Sequence, residues 1–153
     1  MSLVGKSAPD FTLVDHKRAS VSLGGLRGQK VVLAFYPAAF TGVCEKELCS
    51  LRDSLSELND AGAAVLGVSV DGPFSNAAFA AKNNINFSLL SDFGGQVAEA
   101  YGVVWKNLAN VPGYNVANRS VFIVDGGGAV TYEWIAPSPG VEPDYAAIRA
   151  ALA

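Results

Sequence analysis

The sequence predicts an α/β fold: a mixed β-sheet flanked by helices, with a short β-rich extension at its start. Three observations carry that expectation. Val31 to Tyr36 and Ala63 to Val70 are short apolar runs rich in β-branched residues. An amphipathic stretch lies between them, and two later β-rich runs are joined by four turn-forming residues. The chain has 153 residues, half of them hydrophobic, and no repeat, low-complexity tract or linker divides it, so one domain is expected. A chain of this length buries roughly 70% of its unfolded surface, which argues against intrinsic disorder.

The elements follow in order. The segment from Phe11 to Leu23 is β-rich and turns through Asp15-His16-Lys17-Arg18. Val31-Val32-Leu33-Ala34-Phe35-Tyr36 reads as a strand buried on both faces and stops at Pro37. Leu48, Leu51, Leu55 and Leu58 recur at helical spacing, which predicts one helix from about Gly42 to Asn59. The run Ala63 to Val70 ends at Asp71-Gly72-Pro73 and completes a βαβ unit, whose right-handed crossover makes the two strands parallel. A helix over Ser75 to Asn83 leads to the run Phe87 to Leu90, and another covers Gln96 to Tyr101, stopped by Gly102. Ser120 to Val124 and Val130 to Ile135 form an antiparallel hairpin through Asp125-Gly126-Gly127-Gly128. A terminal helix runs from Pro143 to Leu152, with Pro143 in its first turn. This order is thioredoxin-like.

Composition excludes several function classes. The 11 Lys+Arg against 14 Asp+Glu leave a net charge of −3, which gives no basic footprint for nucleic acid. Val31 to Cys44 is charge-free, yet it is too short and too interrupted by Pro37 and Gly42 to cross a membrane. No basic segment precedes an apolar core at the start, so a cytoplasmic location is expected. Two cysteines and one histidine are too few for a disulfide scaffold or a four-ligand zinc site, and no metal or other cofactor is expected.

The chemistry concentrates around Cys44. It follows the first buried strand at the turn into the long helix, and reactive groups of open α/β sheets gather at such strand ends. With Thr41 as N-cap, Cys44 occupies the third helical position. Unpaired amides and the helix dipole there favour thiolate over thiol. Between Lys106 and Asp125 the only charged residue is Arg119, immediately before an apolar strand. Such an arginine either snorkels to solvent or takes an acceptor inside the protein, and a thiolate at the end of the neighbouring strand is one such acceptor. Glu47, one turn after Cys44, is placed to hold the arginine's fork, although Glu45-Lys46-Glu47 also fits a solvated helical turn. Cys49 lies five residues after Cys44. In an intact helix that spacing separates the Cα atoms by about 8.6 Å, whereas a disulfide needs about 4.4–6.8 Å. Cys49 is then either a core residue beside Leu48 or a resolving thiol that acts only when the helix unwinds. His16 sits in a charged turn, where a surface position is expected. Incidental thiols on a thioredoxin-fold binding or chaperone-like module are the rival reading. A disulfide reductase is weaker, because its usual C-x-x-C is absent.

Pro37-Ala38-Ala39-Phe40-Thr41-Gly42-Val43-Cys44 resembles the P-x-x-x-T-x-x-C active-site loop of the peroxiredoxins. The likeness extends through Ala8 to Leu13, Val68 to Asp71, Leu89 to Asp92 and Arg119 to Asp125. By that resemblance Cys44 is the peroxidatic cysteine and Arg119 the active-site arginine. Thr41 hydrogen-bonds the peroxide and the thiolate, acting with Arg119 and the helical amides as a donor to the departing oxygen, and Pro37 shields the sulfur. Phe40 to Cys44 with Glu47 and Arg52-Asp53 is similar to the alkyl hydroperoxide reductase E branch, usually described as one-cysteine enzymes. Cys49 is similar instead to the intramolecular resolving thiol of the bacterioferritin-comigratory, or Q-type, branch. The activity implied is reduction of hydrogen peroxide and organic hydroperoxides through a sulfenic acid. The partners implied are a thioredoxin-like or other dithiol reductant, and a monomer or a homodimer fits equally.

Overall fold

The computed structural model describes residues 2–153. The described residues form strands β1 (Thr12–Asp15), β2 (Ser20–Ser22), β3 (Lys30–Phe35), β4 (Ala63–Ser69), β5 (Ser88–Ser91), β6 (Val104–Trp105), β7 (Val116–Ala117), β8 (Ser120–Val124) and β9 (Val130–Ile135), with five α-helices and three short 3-10 turns. The helices are α1 (Gly42–Asp53), α2 (Leu55–Asp60), α3 (Pro73–Asn83), α4 (Gln96–Ala100) and α5 (Tyr145–Leu152). Seven strands form one mixed sheet in the order β2-β1-β5-β4-β3-β8-β9. β3 is parallel to β4 and antiparallel to β8, and β4 is parallel to β5. The mixed sheet, its flanking helices and its β extension agree with the expectation.

Side chains alternate across the sheet, so its two faces build two cores. Val32, Ala34 and Tyr36 point to the side packed by Leu48, Leu51, Leu58, Phe79 and Ile148 from α1, α2, α3 and α5. Val31, Leu33 and Phe35 point to the other side, with Val97, Ala98 and Tyr101. There Phe35, Tyr101 and Phe122 form a triangle of rings with centroids 5.1–5.8 Å apart. A strand apolar on both faces is what the continuous run Val31 to Tyr36 requires. Gly67 in β4 has a packing reason of its own: a Cβ there would lie 2.7 Å from Leu89 Cδ2. Among the described residues no helix is long and apolar enough to cross a membrane.

Several expected boundaries shift. The single helix from Gly42 to Asn59 is two helices meeting at Ser54 (φ −94°, ψ 0°), whose amide is shared between the carbonyls of Ser50 and Arg52. Serine competes for backbone hydrogen bonds and tolerates this non-helical geometry better than Leu55 after it, so the bend falls there. α5 starts at Tyr145, because the Asp144 side chain caps it by accepting from the Ala147 amide at 3.1 Å. Pro143 therefore precedes the helix. α4 ends as expected: Gly102 (φ +73°) follows its last turn, with Gly102 N–H donating to Glu99 and Val103 N–H to Ala98. The antiparallel pair β6–β7 was not anticipated, since two-residue strands are too short to show alternation.

Candidate active site

β3 delivers the chain to Tyr36, Pro37 and Ala38, all buried, and the loop then surfaces at Phe40 and Thr41 before α1 begins. Phe40 sits in the left-handed region (φ +67°), which is unfavourable for a bulky side chain. Thr41 is the N-cap residue, but its side chain does not cap. Its hydroxyl donates instead to the Ala38 carbonyl at 3.0 Å. Thr41 carries one hydroxyl hydrogen, and that hydrogen is committed. In this arrangement the hydroxyl oxygen keeps its lone pairs free on the side away from Ala38. The first helical bond runs from Glu45 N–H to the Thr41 carbonyl, so the amides of Gly42, Val43 and Cys44 are the helix's free donors. Cys44 itself is completely buried.

Arg119 does not snorkel. It precedes β8, whose Ser120 pairs with Phe35 at the end of β3, and this register aims the side chain at the start of α1. Arg119 is 1% exposed, and its guanidinium makes three bonds: Nε to the Pro139 carbonyl at 3.0 Å, Nη1 to Glu47 Oε2 at 3.0 Å, and Nη2 to Cys44 Sγ at 3.1 Å. Its backbone is fixed as well, with Arg119 N–H donating to Asn118 Oδ1 and the Arg119 carbonyl accepting from Ala136 N–H. Glu47 is fully buried, so the solvated-turn reading of Glu45-Lys46-Glu47 fails at Glu47. The helical period is the reason: Glu47, Leu48 and Leu51 turn inward while Lys46 stays outside. The Pro139 carbonyl gave no sequence signal, because a backbone acceptor carries no residue preference.

One cation thus faces two groups able to carry negative charge. Burial pushes the Glu47 carboxyl up to about 7, against the pull of Arg119, and its Oε1 finds no partner among the described residues. Arg119 stays cationic: burial works against its charge, but Glu47 and Cys44 outweigh burial. The Glu47 shift has a definite sign for stability. The folded protein keeps a proton that the unfolded chain releases from 4.5 upward, so this contribution is full below pH 4.5 and is lost as pH rises through about 7. Urea unfolding across that range should show the decline, and Glu47→Gln should flatten it. An unchanged slope in the variant would mean that Glu47 is ionised throughout.

The other candidates are placed as follows. Pro37 is buried at the head of the loop. Cys49 is half-buried on the intact α1, unbonded to Cys44, with its Sγ 3.8 Å from Asn83 Oδ1. Beside it Arg52 donates to the Asn83 carbonyl. His16 is half-buried at the surface, its Nδ1 accepting from the Leu89 amide at 3.2 Å, and burial lowers its pKa. It makes no hydrogen bond to Cys44 and is no base for it. Among the described residues no group of three or more His, Cys, Asp or Glu is placed to hold a metal ion. Sequence reasoning passed over Asp71, whose carboxylate accepts from the Ala39 amide at 2.8 Å. A polar residue just past a buried strand was the signal for it.

Residues 4–133 match the model of the AhpC/TSA family. The chain is 42% identical over 127 residues to the "Putative peroxiredoxin bcp" of Haemophilus influenzae, covering 83% of this chain and 82% of that one. It is also 42% identical over 132 residues to the "Alkyl hydroperoxide reductase E" of Mycobacterium bovis, covering 84% and 82%. In three dimensions it resembles the crystal structure of peroxidoxin BcpB from Mycobacterium tuberculosis, with a TM-score of 0.86 and 31% identity over 99% of this chain and 97% of that one.

Proposed function

Because this chain belongs to the AhpC/TSA family and is a thiol-dependent peroxidase of antioxidant defence, we propose that Cys44 is its peroxidatic nucleophile, activated by Arg119 and the first turn of α1. The single observation that carries this assignment is the buried guanidinium shared between Glu47 and the Cys44 sulfur. A fixed cation 3.1 Å from the sulfur stabilises thiolate without an imidazole base. Glu47 fixes the other arm of the fork and so orients the arm that reaches sulfur. Pro37, buried at the strand end, keeps water from the sulfur on that side.

The Cys44 thiolate attacks the terminal oxygen of the hydroperoxide. The S–O bond forms as the O–O bond breaks, sulfur is oxidised to sulfenic acid, and the departing oxygen takes a proton to leave as water or an alcohol. The Arg119 guanidinium and the free amides of Val43 and Cys44 stabilise charge on that oxygen. Thr41 accepts from the peroxide O–H and sets the angle of attack. Cys49 then condenses with the sulfenic acid: an S–S bond forms and water leaves. A thioredoxin-like dithiol protein restores both thiols by exchange and becomes the disulfide itself. The condensation requires the first turns of α1 to unwind. The left-handed Phe40 favours opening there, and the exposed pair of Lys82 with Glu45 at 3.4 Å is only a weak restraint against it.

One equivalent of peroxide separates the alternatives. Mass spectrometry should show the protein lighter by two hydrogens, with Cys44 and Cys49 linked. A stable sulfenic acid on Cys44, with Cys49 still alkylatable, would refute the resolving role while leaving the nucleophile in place.

A further inference from the structure

We propose that Asp71 is a positioning residue for peroxide reduction: it clamps the Ala38–Ala39 peptide so that Thr41 presents its oxygen to the hydroperoxide as an acceptor. This rests on the roles of Cys44 and Thr41 given above. The geometry is specific. One peptide unit is bonded on both sides, its N–H donating to Asp71 Oδ2 at 2.8 Å and its carbonyl accepting from the Thr41 hydroxyl at 3.0 Å. A carboxylate on the N–H side draws density toward the carbonyl and strengthens the bond from Thr41.

Asp71 is itself held. Its Oδ2 also accepts from the Ser69 hydroxyl at 3.1 Å, and its amide donates back to Ser69 Oγ at 3.2 Å. Its carbonyl accepts from the buried Asn76 at 3.5 Å, and Asn76 in turn accepts from the Tyr36 hydroxyl at 2.7 Å. The loop from β3 is therefore tied on both sides of Pro37 to the parallel neighbour β4 and to α3. The bonds from Ala39 and Thr41 also bracket Phe40, whose left-handed backbone needs such support.

The test measures the rate of Cys44 oxidation by hydrogen peroxide in single turnover, for the wild type, Asp71→Ala, Asp71→Asn, Thr41→Val and the double variant Asp71→Ala/Thr41→Val. Thiolate absorbance is titrated alongside. Asp71→Ala should slow oxidation about tenfold, the scale of a small misplacement at a reacting centre, with the thiolate titration unchanged. Asp71→Asn keeps an acceptor oxygen for Ala39 and should recover most of the rate. The double variant should be no slower than Thr41→Val alone, because the clamp acts only through Thr41. Wild-type speed in Asp71→Ala overturns the proposal, and so do additive losses in the double variant, which mark a general disturbance of the fold. If Thr41→Val itself costs nothing, the reading of Thr41 fails and the clamp with it. If Thr41→Val is slow and Asp71→Ala is not, only the clamp fails. Should Asp71→Ala not fold, Ser69→Ala frees the same carboxylate and carries the same comparison.

Discussion

Cys44→Ser should abolish peroxide consumption, a loss of more than about 10⁴-fold that leaves only the uncatalysed background. The substitution nearly conserves volume, so the fully buried site keeps its packing and the protein should unfold close to the wild-type midpoint. The chemistry fails for a different reason. A hydroxyl holds its proton far more tightly than a thiol, and neither Arg119 nor the helix start supplies enough field to remove it. Single-turnover assays with peroxide in excess, together with mass spectrometry of Cys49, check this result. Continued peroxide consumption with the sulfenic acid carried on Cys49 would sink the assignment of the nucleophile.

Arg119→Met should lower the rate of Cys44 oxidation by about 10²–10³, the usual cost of removing one preorganised donor from a developing oxyanion. The same change should also cost about 3–5 kcal/mol of stability, because it strips a buried acid of the one cation paired with it among the described residues. The two effects separate in a second protein. Arg119→Met/Glu47→Gln removes the orphaned carboxylate and should regain part of the stability while staying slow with peroxide. Arg119→Lys should fall between, since a single ammonium cannot reach Glu47, Cys44 and the Pro139 carbonyl together as the planar fork does. Stopped-flow oxidation and urea titration of the three proteins give both numbers. Full recovery of rate in the double variant would show that Arg119 matters for folding alone.

The wide reach of Arg119 explains where the sequence was readable. Period-2 and helical patterns are local properties of the chain. The doubly buried β3, the βαβ unit, the β8–β9 hairpin and the glycine stop of α4 could therefore be read without coordinates. The location of Cys44 at a strand-to-helix turn is local too. Ser54 was misread because leucine spacing reports which face is buried and says nothing about one shared amide within it. The contact of His16 with the Leu89 amide left no local signal, because Leu89 lies on a distant strand.

The sequence by itself determined which residues can do chemistry: one thiol at a helix start, one isolated arginine, and a loop with the right spacing between proline, threonine and cysteine. It also determined the sheet and helices that carry them. Only the tertiary structure decided that Arg119 is buried and bonded to the sulfur, that Glu47 turns inward, that Thr41 spends its proton on Ala38, and that Asp71 grips the other side of that peptide. The contacts of Arg119 and of Asp71 join distant segments and are set by strand register, with Phe35 opposite Ser120 on one side of β3 and opposite Val68 on the other. Register depends on how two faces of a sheet are buried at once, a sum over the whole core that no single stretch of sequence encodes.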